Sequence, residues 1–170
     1  MMRKSIIIAL IFLGSGITTY AQQKTGDKNH DKGLETYASI SGGFPVKGMD
    51  HFDYSFGAYT HFDYNFNEKF VARLDIGWNE FSGPEREYVD VNNIIHKEEV
   101  TMSVWEFTAG ARYRITPWFY VEGRGGYFTG IDAFAGVPAI GFKFHSFDIQ
   151  ANMIMTSDVN WAGFRIGYFF

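Results

Sequence analysis

The chain of 170 residues contains no cysteine and only four prolines. Without cysteine, no disulfide can hold an exported domain together, and no lipid can be attached to a cysteine behind an export signal. The low proline content accompanies 19 glycines and an aromatic fraction of 19%, a bias that favours β structure. The chain also lacks an excess of basic residues, since 15 lysines and arginines stand against 19 acidic residues. That balance argues against nucleic acid as a partner.

Long apolar runs are missing beyond the N-terminal region. No stretch after Leu13 approaches the roughly 20 uncharged residues that a transmembrane helix needs. If the protein enters a membrane, it must therefore do so as a closed β-barrel, because only helices and closed barrels satisfy their backbone polar groups in lipid.

Residues 1–21 have the pattern of a cleaved secretory signal peptide. Two basic residues precede the apolar run 6–13, and Thr19-Tyr20-Ala21 offers a cleavage site of the small-x-small type. The apolar run is too short for the alternative, a transmembrane anchor. The polar and aperiodic residues 22–33 are predicted to be a flexible periplasmic segment.

From residue 34 to residue 170, apolar and polar residues alternate with a period of two, the pattern of β-strands. The alternation divides into eight segments, each near the roughly 9–11 residues of a tilted transmembrane strand. In the second segment the apolar face carries Tyr54, Phe56, Ala58, Thr60, Phe62, Tyr64 and Phe66, and the opposite face carries Ser55, Gly57, Tyr59, His61, Asp63 and Asn65. The predicted fold is all-β: an eight-stranded antiparallel up-and-down transmembrane β-barrel over residues 34–170.

Turn signals separate the segments, and short and long connections alternate along the chain. Short turns are predicted near Asn67, Thr116 and Ser146, and longer loops at Pro45–Asp53, Ser82–Glu99, Gly130–Gly136 and, as the shortest of this set, Ser157–Val159. Short turns at one rim and longer loops at the other are typical of outer-membrane barrels. An even number of strands places both chain ends at the short-turn rim, the periplasmic side of such a barrel.

Alternation alone leaves open which face is outside, since a soluble lipocalin-type barrel points its apolar face inward around a ligand. Here aromatic residues bracket aliphatic ones on the apolar face, as Phe70 and Trp78 do around Leu74. Aromatic rings at both ends of a strand mark a lipid-facing band. The opposite face carries charges of both signs beside glycines, which suits a narrow lumen. We expect lumen ion pairs among Glu106, Arg112, Glu122, Arg124 and Arg165.

The chain ends in Gly167-Tyr168-Phe169-Phe170, with aromatic residues at the last and third-from-last positions. Together with the eight alternating segments, this ending resembles the OmpA/OmpX-type small outer-membrane barrels. The Ala21–Gln22 junction and the aromatic-rich strands also resemble barrel proteins of Bacteroidota. The resemblance implies a protein in contact with the lipid of a Gram-negative outer membrane, for which we expect a monomer. It also implies that Phe170 belongs to the signal read by the barrel-assembly machinery.

The leading functional hypothesis is a non-enzymatic envelope protein, structural or adhesive, that acts through its extracellular loops. The informative loop is 82–99, a possible site for an extracellular protein partner. Two alternating stretches in it flank Asn92-Asn93, and asparagine tolerates the positive φ of a tight hairpin turn. A two-residue turn there predicts the pairs Val91–Ile94, Tyr88–Lys97, Arg86–Glu99, Trp78–Phe107 and Phe70–Ile115.

This pairing makes segments three and four project beyond the membrane as a ribbon, as in OmpX-like proteins. An exposed strand edge can capture a partner strand. Gly83-Pro84 interrupts the ladder, however, and favours the alternative of a floppy acidic loop. Both interpretations stay open at the level of the sequence.

A second hypothesis is an enzyme acting on outer-membrane lipid, as the lipid A acyltransferase and deacylase barrels PagP and PagL do. Such chemistry brings together a nucleophile, a histidine and a carboxylate. His61 shares a face with Asp63, and His145 precedes Ser146, but neither pair lies in a recognisable nucleophile motif. A pore is a weaker third hypothesis, because eight strands enclose an interior that side chains fill. No catalytic or cofactor site is predicted. No metal site is predicted either, since the acidic residues do not have the spacing of metal ligands.

Overall fold

The computed structural model describes residues 33–89 and 95–169, which form one closed antiparallel barrel. The strands follow one another around the barrel in chain order, and β1 closes the ring by pairing with β8. They are β1 Gly33–Lys47, β2 Tyr54–Asn65, β3 Phe70–Val89, β4 Ile95–Arg114, β5 Phe119–Phe128, β6 Ala133–Phe144, β7 Phe147–Met155 and β8 Asn160–Phe169. One turn of 3-10 helix, η1, spans Thr129–Ile131. Within the described residues, no helix is long and apolar enough to cross a membrane.

The predicted eight-stranded barrel is therefore confirmed. Four features predicted from the sequence lie outside the described residues: the signal peptide 1–21, the segment 22–32, the Asn92-Asn93 turn and Phe170. Gly33, which the sequence places at the end of the flexible segment, is the first residue of β1.

The apolar face of every strand points outward, as the order of aromatic and aliphatic residues predicts. On β4, Phe107 is 47% exposed, whereas its neighbour Glu106 is 0% exposed and points into the lumen. On β3, Leu74 is likewise exposed between the buried Arg73 and Asp75. This is the inverse of a soluble ligand-binding barrel. An apolar band of this kind is stable only against hydrocarbon, because exposing it to water costs about 25 cal/mol per Å².

Short turns join the strands at one rim, at the three predicted places. In the β2–β3 turn the Asn67 side chain accepts the Phe70 N–H at 2.9 Å. In the β4–β5 turn Thr116 Oγ1 accepts the Phe119 N–H, also at 2.9 Å. The β6–β7 connection at Ser146 has only two residues. Both described chain ends lie at this rim, which we call the turn rim; the opposite one is the loop rim.

Of the longer loops predicted at the loop rim, Ser157–Val159 is confirmed and Pro45–Asp53 is strand only as far as Lys47. The other two predictions are wrong in their bounds, because Gly130–Gly136 and the described part of Ser82–Glu99 are mostly strand. β1 runs to Lys47, β3 runs to Val89, β4 begins at Ile95 and β6 begins at Ala133. The remaining connections within the described residues have four to six residues. Backbone ladders need no apolar side chains, so they continue past the point where the alternation of polar and apolar residues fades.

β3 and β4 form the predicted ribbon, and each has 20 residues. Their pairing extends to Val89 opposite Ile95, whereas β2 pairs with β3 only as far as Ser82. We use "the ribbon" for residues 83–89 and 95–102. Within the described residues the ribbon is paired strand, as the first of the two interpretations predicts.

The predicted register of the ribbon is wrong by one or two residues. Trp78 pairs with Trp105 rather than with Phe107, and Lys97 pairs with Glu87 rather than with Tyr88. The structure likewise pairs Phe70 with Tyr113 and Arg86 with Glu98, while Val91 and Ile94 lie outside the described residues. One cause lies within the described residues. The Gly83-Pro84 segment puts one extra residue into β3 between Ser82 and Glu85, which shifts the register along the ribbon.

Replacing Leu74 by arginine should destabilise the barrel by about 2–4 kcal/mol, the usual effect of a charge at the middle of a lipid-facing strand. Leu74→Val is the control, since it keeps an apolar residue of similar shape at the same place. Urea unfolding of both variants in lipid vesicles, followed by tryptophan fluorescence, measures the difference. Equal stability of the two variants would mean that this face does not contact hydrocarbon.

Candidate functional site

Alternation along the strands brings charged side chains into the lumen at every second residue. The charged side chains that are 5% exposed or less are Asp63, Arg73, Asp75, Glu106, Arg112, Glu122, Arg124, Asp148 and Arg165. They come from six of the eight strands, because β1 and β6 contribute none of them. Burying an isolated charge costs far more than a typical protein can tolerate, so each of these groups must find an opposite partner.

The half of the lumen nearer the turn rim is braced by two arginines that share one carboxylate. Arg73 Nε lies 2.7 Å from Asp63 Oδ1, and Arg73 Nη1 lies 2.8 Å from Glu122 Oε2. Arg112 Nε approaches the same Glu122 oxygen at 3.0 Å, and its Nη1 lies 3.1 Å from Asp148 Oδ2. The cluster links strands β2, β3, β4, β5 and β7 across the interior.

A second cluster is centred on Asp75, which is completely buried. Arg124 and Arg165 both contact Asp75 Oδ2, the latter at 3.1 Å. Arg165 Nη2 also lies 3.1 Å from Glu106 Oε2. Glu106 accepts a further hydrogen bond from the Tyr59 hydroxyl at 2.7 Å. This cluster joins β8 to β3, β4 and β5.

The five residues expected to form lumen ion pairs all do so. The pairs among them are Arg112–Glu122, Arg124–Glu122 and Arg165–Glu106. Sequence reasoning left out four further members of the network: Asp63, Arg73, Asp75 and Asp148. All four lie on the polar face of their strands, where the alternation had placed them. It could not have assigned partners, since these depend on the register of the closed barrel.

His61 is part of a chain of hydrogen bonds that resembles a hydrolase triad in its order. Ser39 Oγ lies 2.6 Å from His61 Nε2, and His61 Nδ1 lies 2.7 Å from Asp75 Oδ1. His61 and Asp63 share the lumen face as the sequence predicts, but the carboxylate that contacts His61 is Asp75. His61 stands opposite Asp75 in the β2–β3 ladder, whereas Asp63 stands opposite Arg73. Directly opposed residues are closer than alternate residues of one strand.

This triad is enclosed. The Ser39 side chain is buried, and the Tyr37 ring stacks on His61 with 4.3 Å between ring centroids. A cavity of about 10 Å³ lies two residues further along β1, lined by Ser41, Tyr59 and Arg165 among others. Such a volume holds one water molecule at most and leaves no room for an acyl chain.

An apolar cluster fills the lumen at the loop rim, a feature that sequence reasoning missed. Its buried members are Met49, Phe81, Val104, Phe128, Ala135, Val137, Ile154 and Trp161. Trp161 is at the centre, with Phe81 and Phe128 packed edge-on at centroid distances of 5.2 and 5.6 Å. The signal was available, because these residues continue the lumen-facing period: Phe81 follows Arg73 and Asp75, and Trp161 precedes Arg165.

The turn rim is closed by polar contacts. Lys143 Nζ lies 2.8 Å from Glu35 Oε2 and 3.9 Å from the centroid of the Phe169 ring. Arg114 Nη2 donates to the Asn65 side chain at 2.7 Å. Both ends of the lumen are therefore occupied by side chains. In the described part of the chain, no group of three or more histidine, aspartate or glutamate side chains could hold a metal ion.

The ribbon is the part of the described structure that extends beyond the barrel wall. Glu87 and Lys97 pair across it, with Nζ and Oε1 2.9 Å apart, and both side chains are more than half exposed. Ile95 is 63% exposed. The lumen is therefore closed to a partner, whereas the ribbon is accessible.

No protein-family model matches the chain, and no curated protein matches it. Two crystal structures of Ail, the attachment invasion locus protein of Yersinia pestis, are similar to it. The one in complex with the heparin analogue sucrose octasulfate has 20% identity and a TM-score of 0.51, covering 81% of this chain and 99% of that chain. The other has 19% identity and a TM-score of 0.51, covering 82% of this chain and 100% of that chain. The chain thus has the fold of the small eight-stranded outer-membrane β-barrels.

Proposed function

We propose that the protein is an outer-membrane adhesion or interaction protein that binds its partner through the ribbon. The observation that carries the proposal is the length of β3 and β4, which continue as a paired ribbon after their pairing with β2 and β5 has ended. Strand edges of this kind pair readily with another chain. The similar fold of Ail, an attachment invasion locus protein, supports a role at the cell surface.

The proposal includes export and insertion into the outer membrane. The signal peptide 1–21 would direct the chain across the inner membrane, and residues 22–32 would remain in the periplasm. The aromatic ending at Phe170 would be recognised by the barrel-assembly machinery. The outward apolar band supports this location, because β-barrels with such a band need a bilayer around them.

The filled lumen supports a structural rather than a conducting interior. The two ion clusters, the apolar cluster and the polar closure at the turn rim occupy successive levels of the barrel. A barrel of eight strands is just wide enough to be filled in this way. The ion clusters would act as an internal brace that supports the ribbon on a rigid base.

A serine hydrolase is a second candidate, favoured by the one observation that Ser39, His61 and Asp75 are connected in triad order. A working triad also needs a substrate next to the serine and donors for the developing oxyanion. Ser39 is enclosed, and Asp75 additionally receives two arginines. Both facts favour a bracing role, in which His61 Nδ1 bonds to Asp75 Oδ1 and Ser39 bonds to the other ring nitrogen of His61.

Replacing Arg112 by methionine should destabilise the barrel by about 3–5 kcal/mol, because it leaves Asp148 without its arginine and removes one of the arginines that Glu122 contacts. The matched control is Lys97→Met, which removes an exposed ion pair and should cost about 1 kcal/mol or less. Urea unfolding in lipid vesicles measures both. A cost for Arg112→Met as small as that of the control would contradict the brace.

A fluorophosphonate probe should leave Ser39 unmodified in the folded barrel, because the hydroxyl is enclosed. Intact mass spectrometry after incubation in detergent micelles detects the adduct, with Ser39→Ala as the control for labelling at other serines. A stoichiometric adduct on the native chain that is absent from Ser39→Ala would establish the hydrolase instead.

Removing the ribbon should abolish adhesion and leave the barrel intact. Residues 83–100 can be replaced by Asn-Gly, since Ser82 and Thr101 are directly paired and suit a two-residue turn. A non-adherent Gram-negative strain would express either form, and its attachment to matrix proteins and cultured cells would be counted. We expect at least a tenfold loss of attachment for the shortened form. A faster band of the unheated sample on an SDS gel verifies that it folds.

The control for that experiment is Glu68→Gln in the turn rim, which should attach like the native chain. Equal attachment of the native and shortened forms would refute the proposed function. Attachment by neither form to any of the surfaces would refute it as well.

A further inference from the structure

We propose that the free edge of β4 binds a basic, extended peptide segment as an added strand. This inference rests on the proposed function and names the class of partner. Two observations carry it. On the side away from β3, the backbone of residues 95–102 is paired with no other strand of the described chain, and the surrounding rim carries an excess of acidic residues.

The free edge of β4 has a defined base. β5 pairs with β4 only from Glu106 onward. Above that point η1 packs against β4: the Trp105 N–H donates to Thr129 Oγ1 at 3.2 Å, and a Cβ on Gly130 would lie 2.5 Å from the Ser103 carbonyl oxygen. Residues 95–102 then run on without proline. At about 3.3 Å per residue they offer an edge of roughly 26 Å.

The other edge of the ribbon is a poorer docking site. The Asp53 N–H donates to the Ser82 carbonyl at 2.8 Å, so the β1–β2 loop covers the base of the β3 edge. A Cβ on Gly83 would lie 1.9 Å from the His51 carbonyl oxygen, which shows how closely that loop approaches. Pro84 follows and has no N–H to donate. Only the five residues 85–89 remain, so an incoming strand finds more partners on β4.

The charge of the loop rim determines which strand fits. Among the side chains that the structure describes, the loop rim carries seven acidic residues and two basic ones: Asp50, Asp53, Glu80, Glu85, Glu87, Asp132 and Asp158 against Lys47 and Lys97. Lys97 is already paired with Glu87. The described residues of the turn rim include two acidic residues, Glu35 and Glu68, and three basic ones, Lys69, Arg114 and Lys143. The excess of acidic residues is therefore found at the loop rim and not at the turn rim.

A partner rich in lysine or arginine gains from this asymmetry, since charge complementarity raises both association rate and specificity. A sulfated polysaccharide is repelled by the same charges. An acidic strand would be repelled too, although its backbone could form the same ladder. Charge and backbone pairing together therefore select a basic peptide.

The test uses the full mature chain in lipid nanodiscs and three labelled decapeptides. The first alternates lysine and threonine, and the second has the same sequence with alternate backbone nitrogens methylated. The third replaces lysine by glutamate. Fluorescence anisotropy measures binding at low salt, and hydrogen exchange reports on the amides of residues 95–102. A heparin oligosaccharide tests whether the chain binds a sulfated polysaccharide instead of a peptide.

We expect the lysine peptide to bind, to protect the 95–102 amides and to dissociate as salt is raised. The methylated peptide has the same charge but cannot complete the ladder, so it should bind at least tenfold more weakly. The glutamate peptide and heparin should not bind. Equal binding of the methylated peptide, preference for heparin, or protection of 95–102 by pairing between two copies of the chain would each overturn the inference.

Glu87→Lys should weaken binding of the lysine peptide about tenfold, because it reverses one charge and also removes the ion-pair partner of Lys97. Glu68→Lys makes the same change in net charge at the opposite rim and should bind the peptide like the native chain. An equal effect of both substitutions would contradict the assignment to the ribbon. If the peptide fails to bind while removal of the ribbon still abolishes attachment, the proposed function stands and only the class of partner is wrong.

Discussion

The structure depends on one constraint: charges enclosed by eight strands have to neutralise one another. Because apolar side chains that face lipid occupy the outward face, the polar residues of each strand point into the lumen. Arg73, Arg112, Arg124 and Arg165 meet this constraint by each contacting more than one carboxylate. The strands are thereby tied across the interior as well as along their edges.

The same constraint explains why a catalytic-like arrangement occurs at His61. Asp75 Oδ2 contacts two arginines from different strands, and Oδ1 lies 2.7 Å from His61 Nδ1 and 3.8 Å from Arg73 Nε. His61 stands directly opposite Asp75 on β2, and Ser39 completes the chain of hydrogen bonds. Triad order alone is therefore weak support for hydrolysis when the serine has no approach for substrate.

Because the lumen is closed, a partner can only be bound on the outside of the barrel, and the ribbon at the loop rim is the proposed place. Trp161 and its neighbours seal the interior at that end, and the ribbon begins just beyond them with the extra residue of β3 at Gly83-Pro84. This irregularity ends the pairing of β3 with β2 and leaves β4 with the longer free edge. An edge that is unpaired and acidic can bind a partner without any change in the barrel, because its backbone groups are already arranged in a strand.

The sequence by itself determined the number of strands, the face of each that meets lipid, the turn-rim turns and the residue types of the lumen, because a period of two is a local property of the chain. Only the tertiary structure decided which residues meet. The register of β3 on β4, the pairing of His61 with Asp75 and the length of the strands at the loop rim depend on bulges and on the closure of the ring. The apolar cluster around Trp161 likewise forms only when distant strands converge, since no single strand contains more than two of its members.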